Sequence, residues 1–277
     1  MSTNRYGVIW SPTKNIGDDI QTIAAIDFLK KKGIVEYELL NREFLHLYTG
    51  PEINVIMNGW FMHKPKNFPP SNKIKPIWIS FHVARPQIVS ENLAYFKQQP
   101  PIGCRDTATV DLLKSYGINS YFTGCLTLFF DKHKNKNSSK YIVDVNTKCH
   151  YIPNVDIDLK LFSDFKCVEH DFKYEKHNKF EWWYDDVKRR LHLANKLLNK
   201  YKKASLVITS RLHCALPCRA FKTDCIFIHK NYQTDPRFTG LKQILNGDHA
   251  YHNNKKFKTE NAIEKVQKFF NDYVIEQ

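Results

Sequence analysis

Arg211 and His213 stand where packing alone gives no reason for them. They lie in SLVITSRLHCALPCRAF (205–221), where a strand-like run, Leu206 to Thr209, passes into a helix-like run of small and apolar residues. Two cation-capable groups in the first turn of a helix oppose the positive end of its dipole, and a bound anion reverses that cost. A guanidinium grips carboxylate or phosphate through a two-pronged fork, and an imidazole titrates near neutrality. The pair therefore suits anion capture coupled to proton transfer. A lone histidine here would read as packed core; the arginine two positions earlier turns the reading toward function.

Two other segments share the strand-to-helix setting. In IGCRDTAT (102–109), Arg105 precedes a helix that Asp106 would cap. The arginine again sits against a helix start, and both an anion and a simple pair with Asp106 account for it. In TKNIGDDI (13–20), Gly17 marks a turn or close approach and Asp18 or Asp19 opens the next helix. Capping alone explains those carboxylates, and one glycine with two acids does not make a phosphate loop.

Composition narrows the classes. The 277 residues are 42% apolar and 14% aromatic, enough for real cores, and no stretch reads as disordered. The net charge of +14 suits anionic partners, but Lys mixed with Asn, as in DKHKNKNSSK (131–140) and YHNNKKFKTE (251–260), reads as solvated loop. No arginine-rich stripe or nucleic-acid motif is present, so no nucleic-acid partner is expected. The start, MSTNRYGVIW, has no apolar leader, and no run approaches the roughly 18 residues of a spanning helix. Seven cysteines form no CxxC pair, which fits reduced thiols in a cytoplasmic setting, with no metal or cofactor expected. Cys214 and Cys218 read as small buried hydrophobes.

The positioning elements alternate. Strands are expected at 6–10, 53–59, 75–83, 100–106 and 121–125, with helices at 20–33 and 107–117. After a linker at 131–140, a second series follows: strand 140–145, helix 184–205, strand 205–209, helix 211–221, strand 224–229 and helix 259–274. The expectation is an α/β chain of two Rossmann-like doubly wound domains, 1–130 and 140–277, facing a central cleft in a GT-B-like arrangement.

The three segments together resemble the polysaccharide pyruvyl transferase family. The matching residues are Asn15, Ile16, Gly17 and Asp18 for its N-x-G-D loop, Arg105 and Asp106 followed by LLKSYGI and TGC (123–125), and SRLH at Ser210 to His213. The chain departs from the family at MNGWF (57–61), at Leu126 after TGC, and at Lys222, Thr223 and Asp224.

The resemblance implies transfer of a pyruvyl group from phosphoenolpyruvate to a sugar, making a cyclic ketal and releasing phosphate. It implies Arg105 and Arg211 as clamps on phosphoenolpyruvate, the Leu212 backbone beside them, His213 as general acid, and Asp18 at the acceptor hydroxyl. Asn15, Asp19, His82 and Trp60 fall on the acceptor side, which also implies peripheral association with membrane-bound glycan intermediates. The rivals are a GT-B-like glycosyltransferase using a nucleotide sugar and a glycan-binding relative without catalysis.

Overall fold

The computed structural model describes residues 4–143, 164–172, 182–229, 231–245, 259–273 and 275. Cys149, Val274, the end of the 140–145 strand and most of the 251–260 run lie outside them. Among the described residues, twelve strands form three four-stranded sheets in which every pairing is parallel.

The first sheet has the order β2-β1-β3-β5, from Glu38–Asn41, Tyr6–Trp10, Ile53–Ile56 and Ile74–Ile77. The second has the order β4-β6-β7-β8, from Gly59–Phe61, Phe81–Val83, Ile102–Cys104 and Ser120–Phe122. The two sheets adjoin where β3 leads into β4 and β5 into β6, with Met57 N donating to Ile77 O and Gly59 N to Ser80 O across the step. The expected strands 53–59 and 75–83 each break into two, because Gly59 (φ +94°) and Ser80 (φ +57°) turn left-handed and interrupt the extended run. Ser80 is held in that strained conformation by Thr123, whose Oγ1 accepts from its N, and by its own Oγ donating to Gly124 O at 2.9 Å. Beyond the step, β6 carries His82 beside β7, whose end delivers Arg105.

The third sheet has the order β10-β9-β11-β12, from Lys166–Val168, Lys140–Val143, Leu206–Thr209 and Asp224–Phe227. Strands β2 and β10 are absent from the sequence expectation, since neither four nor three residues carry a period long enough to read.

The α-helices among the described residues are α1 Ile16–Lys31, α2 Gln87–Ser90, α3 Leu93–Lys97, α4 Thr107–Ser115, α5 Trp182–Lys203, α6 Leu212–Ala220, α7 Lys242–Leu245 and α8 Thr259–Asp272. Helix α1 begins earlier than expected. Asn15, not an aspartate, caps it by accepting from Gly17 N at 3.0 Å, and Asp18 and Asp19 fall in its first turn. The largest buried cluster joins the halves, combining Val8, Ile20 and Phe28 with Val143, Val207 and Leu216, because α1 packs against α5 and α6.

The polar 131–140 segment contains no helix and meets the second half through Lys136. Its Nζ donates to Lys202 O, Phe221 O and Thr223 Oγ1 at 2.7–2.9 Å. Cys214 and Cys218 are buried as expected. No described helix is long and apolar enough to cross a membrane.

Candidate active site

The strand-to-helix joints converge on a cavity of about 750 Å³. Asn15, Asp18, Trp60, Arg105, Arg211, Leu212 and His213 line it, joined by Thr13, His63, Glu169, His170, Ser210, His229, Arg237 and Phe238.

Asp106 caps α4 as its position demanded, accepting from Thr109 N at 3.0 Å and from Thr109 Oγ1 at 2.8 Å. Its other oxygen takes His82 Nδ1–H at 2.6 Å. Burial works against that carboxylate, yet the His82 hydrogen bond and the Arg105 charge hold it below the usual range. His82 is itself held low by burial and by Arg105, so the dyad is a neutral imidazole donating to an ionised carboxylate.

Arg105 sits over this dyad with its Nε 3.5 Å from Asp106 Oδ2. It is 1% exposed, and among the described residues its Nε and Nη2 have no hydrogen-bond partner. The bland reading, a salt bridge to Asp106 that satisfies the arginine, accounts for only part of the guanidinium. A buried donor left unmet costs about 1–3 kcal/mol, and more when charged. An anion taking those nitrogens would remove this cost.

Across the cavity, Arg211 is the N-cap of α6 and its Nη2 donates to Asp171 Oδ1 at 3.3 Å. His213, two residues on in the first turn, departs from helical geometry (φ −85°, ψ 17°). The cause is four residues on: Pro217 cannot donate to the His213 carbonyl, and its ring crowds that oxygen. The kink fixes the imidazole at the cavity rim against α1. Burial first, then the charges of Arg105 and Arg237, keep its pKa well below the ordinary histidine value, so the free protein holds it neutral.

Asp18 faces the cavity with both oxygens engaged. Thr13 Oγ1 donates at 2.5 Å, Gln21 Nε2 donates at 3.2 Å, and Arg42 Nη1 stands 3.9 Å away. Trp60 is half-buried beside His63, with ring centroids 4.5 Å apart, and Arg42 lies over its face at 5.7 Å.

Two expected acceptor residues do not reach the cavity wall. Asp19 is 1% exposed and its carboxylate is taken by Arg190 Nε and Nη2 of α5 at 3.0 and 2.8 Å. His82 is buried behind Arg105 in the dyad described above.

Several lining residues escaped the sequence reading. Arg237 forks onto Asp235, its nitrogens 2.5–3.1 Å from the carboxylate, in a loop whose Thr239 accepts from the free amides of Thr107 and Ala108 at the start of α4. Glu169 and His170 come from a stretch without a readable period, and Arg42, which stands behind Asp18 and Trp60 and not on the cavity wall, comes from a 3₁₀ turn. None of these carried a local signal.

No protein of curated function matches the chain. Among solved structures, an uncharacterized protein from Klebsiella pneumoniae is similar at 15% identity and TM-score 0.49, over 85% of this chain and 87% of that one. MnaA of S. aureus, solved with UDP, is similar at 10% identity and TM-score 0.47, over 98% and 89%. Neither is close enough to bear on function. The sequence profile described as polysaccharide pyruvyl transferase matches residues 15–229, a span that holds the cavity's Arg105 and Arg211, the kinked histidine that lines it with them and the capped loop at Asn15, and the chain belongs to that family.

Proposed function

We propose that this protein transfers the pyruvyl group of phosphoenolpyruvate to two hydroxyls of a glycan sugar, forming a ketal and releasing phosphate. The observation that carries this reading is Arg105: a buried guanidinium with two unmet nitrogens, on one cavity with Arg211 and His213, in a chain of this family.

Phosphoenolpyruvate brings a carboxylate and a phosphate, and the two arginines supply a fork for each end. The phosphate charge offsets the guanidiniums that add to burial in keeping His213 neutral, so donor binding raises its pKa and favours its taking a proton. Protonation of the methylene carbon then gives a methyl group and an electrophilic C2. One sugar oxygen adds to C2, the C–O bond to phosphate breaks, and a second sugar oxygen takes its place. Of the two hydroxyl protons, one balances the methyl group and the other leaves with phosphate. Asp18 lies where it can orient an acceptor hydroxyl, and the exposed part of Trp60 offers a face for a sugar ring. A membrane-bound glycan intermediate as acceptor accords with the basic chain and needs no spanning helix.

The test is incubation with phosphoenolpyruvate and a panel of hexose, hexuronate and hexosamine acceptors. Phosphate release matched by the mass gain of one pyruvyl ketal is expected. Turnover of a nucleotide sugar without phosphoenolpyruvate would sink the reading.

A further inference from the structure

Residues 169–172 approach the cavity from outside the strand-to-helix joints, between the third sheet and α5. They are fastened on two sides. Ile16 N donates to His170 O at 3.1 Å and Phe172 N donates to Lys14 O, while Asp171 accepts from Arg211. This segment therefore joins the loop carrying Asn15 and Asp18 to the wall carrying Arg211.

Its central side chain is His170, 0% exposed and part of the cavity wall. Nδ1 lies 2.9 Å from the Tyr201 hydroxyl of α5, with the two rings nearly parallel at 19°. Nε2 has no partner among the described residues. Burial, then the Arg211 charge, push the ring's pKa down to about 3, so it stays neutral and keeps a single N–H. The tautomer in which Nδ1 accepts from the Tyr201 hydroxyl carries that hydrogen on Nε2. In that tautomer Nε2–H is a buried, unmet donor on the same cavity as Arg105 and His213, which have unmet nitrogens of their own.

We propose that His170 is a further ligand-binding residue of this site, its Nε2–H donating to a phosphate oxygen of the donor, with Tyr201 as the positioning residue that sets its tautomer and ring plane. The proposal rests on the donor reading above. A phosphate monoester presents three terminal oxygens, more acceptors than two guanidinium forks saturate while also holding a carboxylate. A neutral donor adds a hydrogen bond there without adding repulsion among the cations.

Calorimetric binding of phosphoenolpyruvate and of inorganic phosphate tests it on the wild type and on His170→Leu, His170→Gln and Tyr201→Phe, with thermal unfolding measured alongside. Leucine at 170 is expected to weaken both ligands about 10- to 100-fold, the loss of one hydrogen bond to a charged group. Glutamine, whose amide N–H reaches near the position of Nε2, is expected to stay within about threefold of wild type, and Tyr201→Phe to fall between. Wild-type affinity in His170→Leu overturns the proposal, as does a glutamine variant no better than leucine. Should His170→Leu not fold, the other two variants decide: unchanged binding in Tyr201→Phe together with lost binding in His170→Gln overturns it. A wild type that binds neither phosphoenolpyruvate nor phosphate overturns the donor reading itself, a result distinct from these.

Discussion

Gly17 leaves room for His213: a methyl group at Gly17 would lie 3.1 Å from His213 Cβ and 3.2 Å from its Nδ1, and 3.0 Å from the cap oxygen Asn15 Oδ1. The glycine of the first loop is therefore a spacer for the imidazole of the second half, 196 residues away by subtraction of the two residue numbers. Gly17→Ala gains up to about 1 kcal/mol of helix propensity, which offsets the crowding. The expected outcome is a melting temperature near wild type with pyruvyl transfer lowered at least about 10-fold, because the ring must shift by tenths of an ångström. Normal turnover in this variant would show that the ring's placement is not tuned by the loop.

Arg105→Met should separate stability from function. Methionine fills much of the same space and removes a buried charge whose Nε and Nη2 are unmet. Losing the unmet donors relieves about 1–3 kcal/mol, while buried Asp106 loses one countercharge and keeps its His82 and Thr109 hydrogen bonds, so the two effects roughly cancel. Urea denaturation is expected to show no loss of stability, while the KM for phosphoenolpyruvate rises about 100-fold or more.

Acid should destabilise the ligand-free protein through its buried histidines. His170 titrates near 6.5 when unfolded and at about 3 when folded, so below pH 6.5 the unfolded chain takes up a proton that the folded chain refuses. Its stabilising contribution is complete above pH 6.5 and is lost as pH falls toward 3. The slope is about 1.4 kcal/mol per pH unit for this one group. His213, also held low by burial, acts in the same direction. Unfolding free energies measured from pH 7 to pH 5 should fall more steeply for wild type than for His170→Gln.

The Asp19–Arg190 pair is the buried strut between α1 and α5, and Arg190 Nη2 also donates to Thr13 O. Arg190→Leu leaves Asp19 buried without its countercharge and should cost about 3–5 kcal/mol. Asp19→Leu combined with Arg190→Leu should cost less than the sum of the single changes. A double-mutant cycle by denaturant titration reads the coupling, and additive effects would remove the strut from the account.

Much of the positioning apparatus was legible because it is local. Asp106 as a cap, α6 after β11 and the burial of Cys214 and Cys218 all follow from periods and end signals within about ten residues. Asn15, expected on the acceptor side, is the cap of α1, because its side chain reaches Gly17 N ahead of either aspartate. Asp19 and His82 carry the right chemistry on the right segments, yet they turn inward to Arg190 and Asp106. Which way a carboxylate or imidazole turns depends on the partner opposite, and that partner is set by packing.

Sequence alone determined the alternating α/β pattern, the three strand-to-helix joints and the residue types, Arg105, Arg211 and His213, that make an anion-binding chemistry there. Tertiary structure decided that these joints share one cavity, that Pro217 and Gly17 fix the His213 ring, and that His170 and Arg237 join them. The reason is physical. Caps and periods act over a turn or two of chain, while burial, ion pairing and the loss of a hydrogen-bond partner depend on neighbours that only folding brings together.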